Sequence, residues 1–535
     1  MVRGRIVMGL LFYPRGGSAQ VTRYLSTALS DAGWPVSLVT GSLGVPGEDT
    51  YAPTFFAGSR VHRLDYSPEI GAAAGGSGSA RVGVGVGRGA GARAGANDGP
   101  VPMHPSYEDR DDAPDPVFAA VPPERAEYLA SVWEAPFRAA GADRAHVFHL
   151  HHLTPQHDLV ARLWPRVPVV AHLHGTETAF VEAVDQRVAA ARAVGTSLAG
   201  MADRVRTNPD GDRRLDERQQ ALLQTTRWER WRHGEAWRDR LRHQASAADH
   251  VVVVSPAGRG LAAEVLGVDA ERITVVPNGV DVTRFRPRPV SPRERRVNFR
   301  RWLVEAPQGW DESGVVGSVA YGDDDLDRLL GPEGDALVLI TVARFTAAKR
   351  LPLLVRAFAR AQQRVDRPVS LVVWGGHPGE WEDEHPVTVA RSVGARGVFF
   401  AGWRGHDDLP GALAASDALV MPSVDDAYPQ SALEAMAVGL PVVGTTSGGF
   451  PFMVNVDPAR PTGWLVPPDD EDALADVLVE LAGRPEEIAE RGSAALAYAQ
   501  ANFSWAGRVA ALEEVYARAR DQAAHRTGWA RRSTR

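Results

Sequence analysis

The sequence predicts an α/β protein made of two doubly wound, Rossmann-like domains. Three observations carry this expectation. The 535 residues exceed what one ordinary hydrophobic core organises, so two or more domains are expected. Short apolar runs alternate with amphipathic helical stretches from the N-terminus onward, the βαβ pattern of a parallel sheet. The same alternation starts afresh near residue 335.

The elements follow in order. RIVMGLLF reads as the first strand, GGSAQVTRYLSTALSDAG as a loop and helix ending at Gly33, and PVSLVTG as the second strand. Residues 71–99 are almost all Gly, Ala, Arg, Val and Ser, too little apolar surface to order a chain, and predict a disordered insertion. AHVFHLHHL and VPVVAHLHG read as two buried strands, residues 182–247 as a long helical stretch, and ADHVVVVSP and ITVVPNGVD as two further strands. This gives a first domain over 1–280. Residues 281–334 are polar and irregular and read as a linker with an insertion. A second domain over 335–500 begins with ALVLITVARF and continues through SLVVWGG, GVFFAGW, DALVMPS, PVVGTT and a helix after PPDDEDA. FSWAGRVAALEEVYARA predicts a closing amphipathic helix over 501–520 with Trp505, Val509, Leu512 and Tyr516 on one side, followed by a flexible tail over 521–535.

Composition narrows the function classes. A 44% hydrophobic and 23% charged chain is that of a soluble globular protein, and a net charge of −7 gives no reason to expect a nucleic-acid partner. With no cysteine there is neither a disulfide nor a thiolate metal site, which fits a cytoplasmic location. The N-terminal apolar run stops at Pro14 and Gly16 without a small-residue cleavage site, so it reads as a strand and not a signal peptide. No run approaches the ~18 apolar residues that span a bilayer.

The most informative stretch is VDDAYPQSALEAMAVGLPVVGTTSGG, residues 424–449. Asp426 lies on a loop, and Glu434, eight positions on, lies in an amphipathic helix. Two carboxylates so placed can hold the two ends of an elongated polar ligand, because a carboxylate accepts bidentate hydrogen bonds from vicinal hydroxyls. An acid set among Ala435, Met436, Ala437 and Leu440 must be paired or occupied, since burying a free charge is costly. The bland alternative is a capped helix with solvated acids.

This stretch resembles the signature of the retaining glycosyltransferases of family 4, also called glycosyl transferases group 1: an acid, seven residues, a Glu, then Ala-Met-Ala-x-Gly-x-Pro-Val. The resemblance implies the GT-B fold, two doubly wound Rossmann-like domains facing across a cleft, and transfer of a sugar from a nucleotide diphosphate sugar. It implies that Glu434 holds the ribose side and Asp426 the hydroxyls of the transferred sugar. It places the turn residues Tyr428, Pro429 and Gln430 with the donor as well.

Other residues join this expectation. Arg344 and Lys349, five apart after a buried strand, suit a diphosphate whose charge grows as the sugar bond breaks; the family's matching cations bind the donor pyrophosphate. Gly16 and Gly17, between the first strand and its helix, admit close backbone approach to an anion, or form a plain turn. His174 ends a buried strand where the family's HG motif contacts the donor sugar; a structural histidine is the alternative. Gly375, Gly448 and Gly449 lie at strand ends facing the donor. Asn278 and Ser255 read mainly as turn or cap residues. The chain departs from the family pattern at Asp426, where Glu is usual, at Phe452, in the place of a Glu, and at Arg350, where Gly is usual.

His149, His151, His152, His157 and His172 are of metal-ligating type, but the HxHH order is read as alternating faces, so the ligands diverge and no metal is expected. The transfer step implied by the resemblance needs none, and no cofactor is expected beyond the nucleotide-sugar co-substrate. The helical TTRWERWRHGEAWRDRLRHQ, with Trp228, Trp231 and Trp237, offers either a peripheral membrane contact or, preferred, a face packed on the first domain. The predicted function is therefore a retaining glycosyltransferase with a small-molecule, glycan or lipid-linked acceptor. Its competitors are a catalytically degenerate sugar-nucleotide-binding protein and a phosphorylase or epimerase on the same fold.

Overall fold

The computed structural model describes residues 3–11, 16–67, 104–110, 115–207 and 215–533, with side chains through 526. The expected insertion at 71–99 lies outside the described residues. Two parallel sheets organise the chain. The first has strand order β3-β2-β1-β4-β5-β6-β7 and the second β10-β9-β8-β11-β12-β13.

The first sheet holds β1 (Arg5–Leu10), β2 (Val36–Ser42), β3 (Arg60–Asp65), β4 (Ala145–His151), β5 (Val169–Leu173), β6 (His250–Val253) and β7 (Ile273–Val275). The second holds β8 (Leu337–Ala343), β9 (Val369–Gly375), β10 (Val398–Gly402), β11 (Ala418–Val420), β12 (Val442–Thr445) and β13 (Gly463–Val466). Central strands such as β1 and β8 are apolar along nearly their whole length because helices cover both faces of a parallel sheet. In each sheet the winding reverses at one place, between β1 and β4 and between β8 and β11. The crevice outside the carboxyl ends of strands at such a reversal is where doubly wound folds bind ligands.

The two domains share a continuous core. Ile6, Met8 and Val170 of the first sheet and Val338, Met421 and Leu433 of the second belong to one buried apolar cluster, which also takes in Trp505, Leu512 and Tyr516 of the closing helix. The chain crosses between the domains twice, and the crossings touch: the Val280 amide donates to the Phe503 carbonyl at 2.7 Å. The closing helix runs Trp505–Ser533 as one element. It lies back against the first domain, where the Trp34 indole donates to Glu513 (2.9 Å) and Arg526 pairs with Asp249 (3.0 Å).

Several expectations are corrected. The helix does not end at 520 with a loose tail; it continues to Ser533, and the Arg526–Asp249 pair anchors the extension. The stretch 281–334 is not irregular throughout. It carries helices Pro292–Arg300 and Asp323–Leu330 and buries Phe299, Trp302 and Trp310. The long helical stretch is broken into helices Thr176–Ala193, Leu198–Thr207, Glu217–Thr225 and Gly234–Ala247. Trp228, Trp231 and Trp237 are all buried in the first domain, so these indoles cannot face a membrane. No helix among the described residues is long and apolar enough to cross one. Strands β3 and β13 carry no sequence signal strong enough to be read: β3 is a half-exposed edge strand with Arg60, His62 and Arg63, and β13 is only GWLV.

Candidate active site

The residues singled out by the sequence lie at or after the carboxyl ends of strands in both sheets, and the His174 turn of the first domain meets the Asp426 loop of the second. Arg344 follows β8 directly and Lys349 ends the short 3-10 turn Ala347–Lys349. Asp425 and Asp426 follow β11, the strand beside β8. On the first domain, Gly16 and Gly17 open the helix after β1, and His174 and Gly175 follow β5. The domains close tightly here. A Cβ built on Gly175 would lie 2.8 Å from the Ala427 side chain, so the His174 turn sits directly on the Asp426 loop.

Both cations of the site are engaged by acids of the chain itself. Lys349 forms a short ion pair with Asp426. Arg344 donates through both terminal nitrogens to Glu108, at 2.6 and 2.7 Å, a bidentate pair reaching from the first domain to the second. Burial alone would raise the Glu108 carboxyl, but the charge and hydrogen bonds of Arg344, with Arg110 and Lys349 nearby, outweigh it and hold the group at about 2. The same Glu108 charge, acting against burial, raises Arg344.

The Asp426 loop is shaped by the glycines across from it. Gly448 has φ 62°, and a Cβ there would lie 2.4 Å from the Asp426 carbonyl oxygen. The Gly449 amide donates to that carbonyl at 2.7 Å. What these glycines admit in the structure is therefore the Asp426 backbone, and the Gly449 amide is already engaged. Asp425, itself at φ 56°, is held by Ser447, whose hydroxyl donates to its carboxylate at 2.9 Å. Gly375 ends β9, where a Cβ would meet the Ala343 carbonyl at 2.3 Å and press on the Arg344 turn.

Tyr428, Pro429 and Gln430 lead into the helix Gln430–Val438. Two of them join the domains. The Asn278 side-chain amide donates to the Tyr428 carbonyl (3.0 Å), and that of Gln430 donates to the Gly279 carbonyl (2.9 Å). Asn278 is thus more than a turn residue, whereas Ser255 caps the helix Pro256–Leu266 as its type suggests.

Glu434 is 2% exposed. Burial raises its carboxyl to about 8, against the opposing charge of Arg284 and a hydrogen bond from Gln430. Its Oε1 lies 3.4 Å from His406 Nε2 and has no hydrogen-bond partner among the described residues. The Tyr24 hydroxyl, from the first domain, lies 2.6 Å from that same His406 nitrogen. Burial first, then Arg284 and Arg23, push His406 down to about 3, so it faces Glu434 as a neutral imidazole. A neutral acid with an unmet oxygen, buried at a domain junction, is a group built to meet a partner.

The histidines correct the expected divergence. His149 and His151 are two apart on β4 and so share one face, and His151 pairs in register with His172 on β5. Nitrogens of His149, His151 and His172 all lie within 4.8 Å of one another. The rings stack, with interplanar angles of 13° for His149–His151, 23° for His151–His172 and 12° for His172–His174. Hydrogen bonds join them: His149 to His172 (3.0 Å), His151 to His174 (2.9 Å) and His149 to the Tyr516 hydroxyl (2.7 Å). Burial pushes His149 down to about 3 and His151, His172 and His174 well below the usual imidazole range. His174 is thus a neutral ring whose Nε2 is held by His151. Buried Glu177 fixes its turn, accepting from the His174 and Gly175 amides at 3.2 and 3.0 Å.

Sequence reasoning did not find Glu108, Glu177, Tyr24 or His406. Glu177 was discoverable, standing three residues into the HGTE turn as an acid that can bind back to the preceding amides. The others come from segments far apart in the chain and become neighbours only through the packing of two domains.

Residues 98–284 match the model of Glycosyltransferase Family 4, and residues 336–484 match that of Glycosyl transferases group 1. A D-inositol 3-phosphate glycosyltransferase from Corynebacterium diphtheriae is 35% identical over 192 residues, 35% of this chain and 44% of the relative. The chain spans about half the length of the curated relatives it matches. Among solved structures, the sucrose-phosphate synthase from Thermosynechococcus elongatus superimposes with a TM-score of 0.56 at 18% identity, covering 96% of this chain and 98% of the other. Anabaena Alr3699/HepE, in complex with UDP and glucose, does so with a TM-score of 0.54 at 14% identity, covering 96% and 100%. With a match in each domain and a fold shared along nearly its whole length, the chain belongs to the family 4, group 1 glycosyltransferases of GT-B fold.

Proposed function

We propose that this protein transfers a sugar, with retention of anomeric configuration, from a nucleotide diphosphate sugar to an acceptor hydroxyl. One observation carries the reading. Arg344 and Lys349 at the end of β8, and the Asp426 loop at the end of β11, flank the winding reversal of the second sheet, and the His174 turn of the first domain closes directly over them. Two cations at such a place neutralise a diphosphate. They act most strongly as the leaving oxygen gains charge, so they favour the transition state over bound substrate. In this reading the cations supply the charge neutralisation and no metal is required.

The remaining residues take roles by position. Glu434, with its unmet oxygen, receives the ribose hydroxyls. Asp426 leaves Lys349 and turns to hydroxyls of the sugar once the diphosphate takes the lysine. The neutral His174 imidazole donates to or accepts from the sugar without adding charge. The helix that Gly17 opens presents its first amides toward the diphosphate. Closure of the two domains excludes water, which limits wasted hydrolysis. Attack on the same face, assisted by the leaving phosphate, accounts for retention without a protein nucleophile. The solved relative bound to UDP and glucose makes UDP-sugars the first donors to try. The relatives named for D-inositol 3-phosphate make an inositol phosphate one acceptor to include.

The test is a panel of UDP-, GDP-, ADP- and dTDP-sugars, read as binding and slow hydrolysis, for the native chain and Glu434→Gln. Selective binding with turnover that falls in the variant supports the proposal. Binding without turnover, even with acceptors supplied, points to a sugar-nucleotide sensor. NMR of the product's anomeric centre decides retention, and an inverted product overturns that part.

A further inference from the structure

The donor-site cation Arg344 carries a ligand that the proposed reaction does not use. Glu108 belongs to the described segment 104–110 of the first domain, remote in sequence from every residue of the site. Its two carboxylate oxygens take both terminal nitrogens of Arg344 at 2.6 and 2.7 Å. A carboxylate so placed offers a guanidinium the same two-oxygen face that a phosphate offers.

The segment is fastened on both sides. Its next residue, Asp109, is tied to the first domain by Arg227 and Arg230, each at 2.6 Å, and by the Trp231 indole at 3.1 Å. Arg110 reaches across to Glu380 of the second domain at 2.7 Å and also pairs with Asp115 at 2.8 Å. Charged contacts from three consecutive residues therefore lay this strap over the loops that follow β8 and β9.

We propose that Glu108 is an internal occupant of the donor diphosphate site, holding Arg344 in the unliganded protein so that a ligand using Arg344 must displace it. The proposal rests on the reading of Arg344 as a diphosphate ligand. When the binding-competent form is a minor population, the apparent Kd is the intrinsic Kd divided by that fraction. Every ligand that needs Arg344 is weakened by one common factor, and a ligand that does not need it is untouched. The carboxyl stays ionised down to about 2, so the contact persists across the physiological pH range.

The test compares the native chain with Glu108→Gln, which keeps the shape of the side chain and removes its charge. Binding of UDP, GDP, ADP, inorganic pyrophosphate and the parent nucleosides is measured by calorimetry at one fixed ionic strength. Diphosphates and pyrophosphate are expected to bind the variant more tightly by a shared factor of about tenfold, the size of one charged hydrogen bond lost from the resting state. Nucleosides are expected to be unchanged. Weaker binding in Glu108→Gln would show that Glu108 positions Arg344 for the ligand and would overturn the proposal, as would unchanged binding.

Arg110→Gln removes the strap's pairs with Glu380 and Asp115 and the 3.6 Å contact of Arg110 with Glu108, while the Glu108 carboxylate itself remains. It is expected to give part of the tightening, and it guards against a folding defect in the first variant. Arg344→Met separates the two levels of inference. If it abolishes diphosphate binding while Glu108→Gln does not improve it, only the occupancy proposal fails. If Arg344→Met leaves diphosphate binding intact, or if neither the native chain nor Glu108→Gln binds any diphosphate, the donor-site reading fails and takes the occupancy proposal with it.

Discussion

Gly175 of the first domain and Ala427 of the second approach so closely that a Cβ on the glycine would lie 2.8 Å from the alanine side chain. Gly175 also has φ 98°, in the region that favours glycine. The residue therefore serves two ends, turning the chain after His174 and letting the Asp426 loop close against it. Gly175→Ala is expected to cost about 1–2 kcal/mol of stability through backbone strain. It is also expected to lower kcat/KM for transfer by more than that strain explains. Gly267→Ala is the control: it too has positive φ (71°), but a Cβ there meets nothing within 4 Å. Urea unfolding and steady-state kinetics on both variants check the difference; equal kinetic losses would sink the closure argument.

Glu434 makes the stability of the protein depend on pH in a set direction. Its folded carboxyl is raised by burial to about 8, above the ordinary glutamate value of 4.5. Between those values the folded state holds a proton that the unfolded chain has lost. Stability from this group is thus full below 4.5 and falls as pH rises toward 8. Glu434→Gln removes that slope and is expected to gain stability relative to the native chain at pH 8. Thermal unfolding of both proteins from pH 5 to pH 9 measures it, and parallel curves would contradict the burial argument.

The imidazole column works the other way. His149, His151, His172 and His174 are all pushed below the usual imidazole range by burial. Unfolding near pH 5 lets them take up protons, so their contribution is present above about 6.5 and lost as pH falls. Calorimetric unfolding at pH 5 in buffers of different ionisation enthalpy is expected to show an uptake exceeding two protons. His149→Gln should reduce it, and an unchanged uptake would refute a neutral column.

The extended closing helix holds the first domain through a buried acid. Asp249 is 2% exposed and accepts from the Val169 amide at 2.9 Å and from Arg526 at 3.0 Å. Arg526→Ala leaves that carboxylate without its charged partner. The expected loss is about 1–3 kcal/mol at neutral pH, shrinking in acid as Asp249 protonates. Denaturant unfolding at pH 7 and pH 4 tests both halves.

Much of the second domain was legible because its signals are local. ARFTAAKR follows a strand that is apolar except for Thr341, and the Asp426–Glu434 spacing sits within one loop and one helix. The histidines show where local reading misleads. The HxHH order reads as alternating faces, yet His149 and His151, two apart on β4, share a face, and beside them lie His172 of β5 and His174 just after it. The stretch 281–334 reads as irregular because its charged residues hide Phe299, Trp302 and Trp310, which are widely spaced but all buried.

By itself the sequence determined the strand-and-helix alternation, the restart near residue 335 and the positions of Arg344, Lys349, Asp426 and Glu434, because short-range periodicity and turn chemistry fix these. Only the tertiary structure decided what those residues meet. Glu108 lies 236 positions from Arg344, and Tyr24 lies 382 from His406. Pairings over such distances depend on how two domains dock, and no local pattern of side chains encodes that docking.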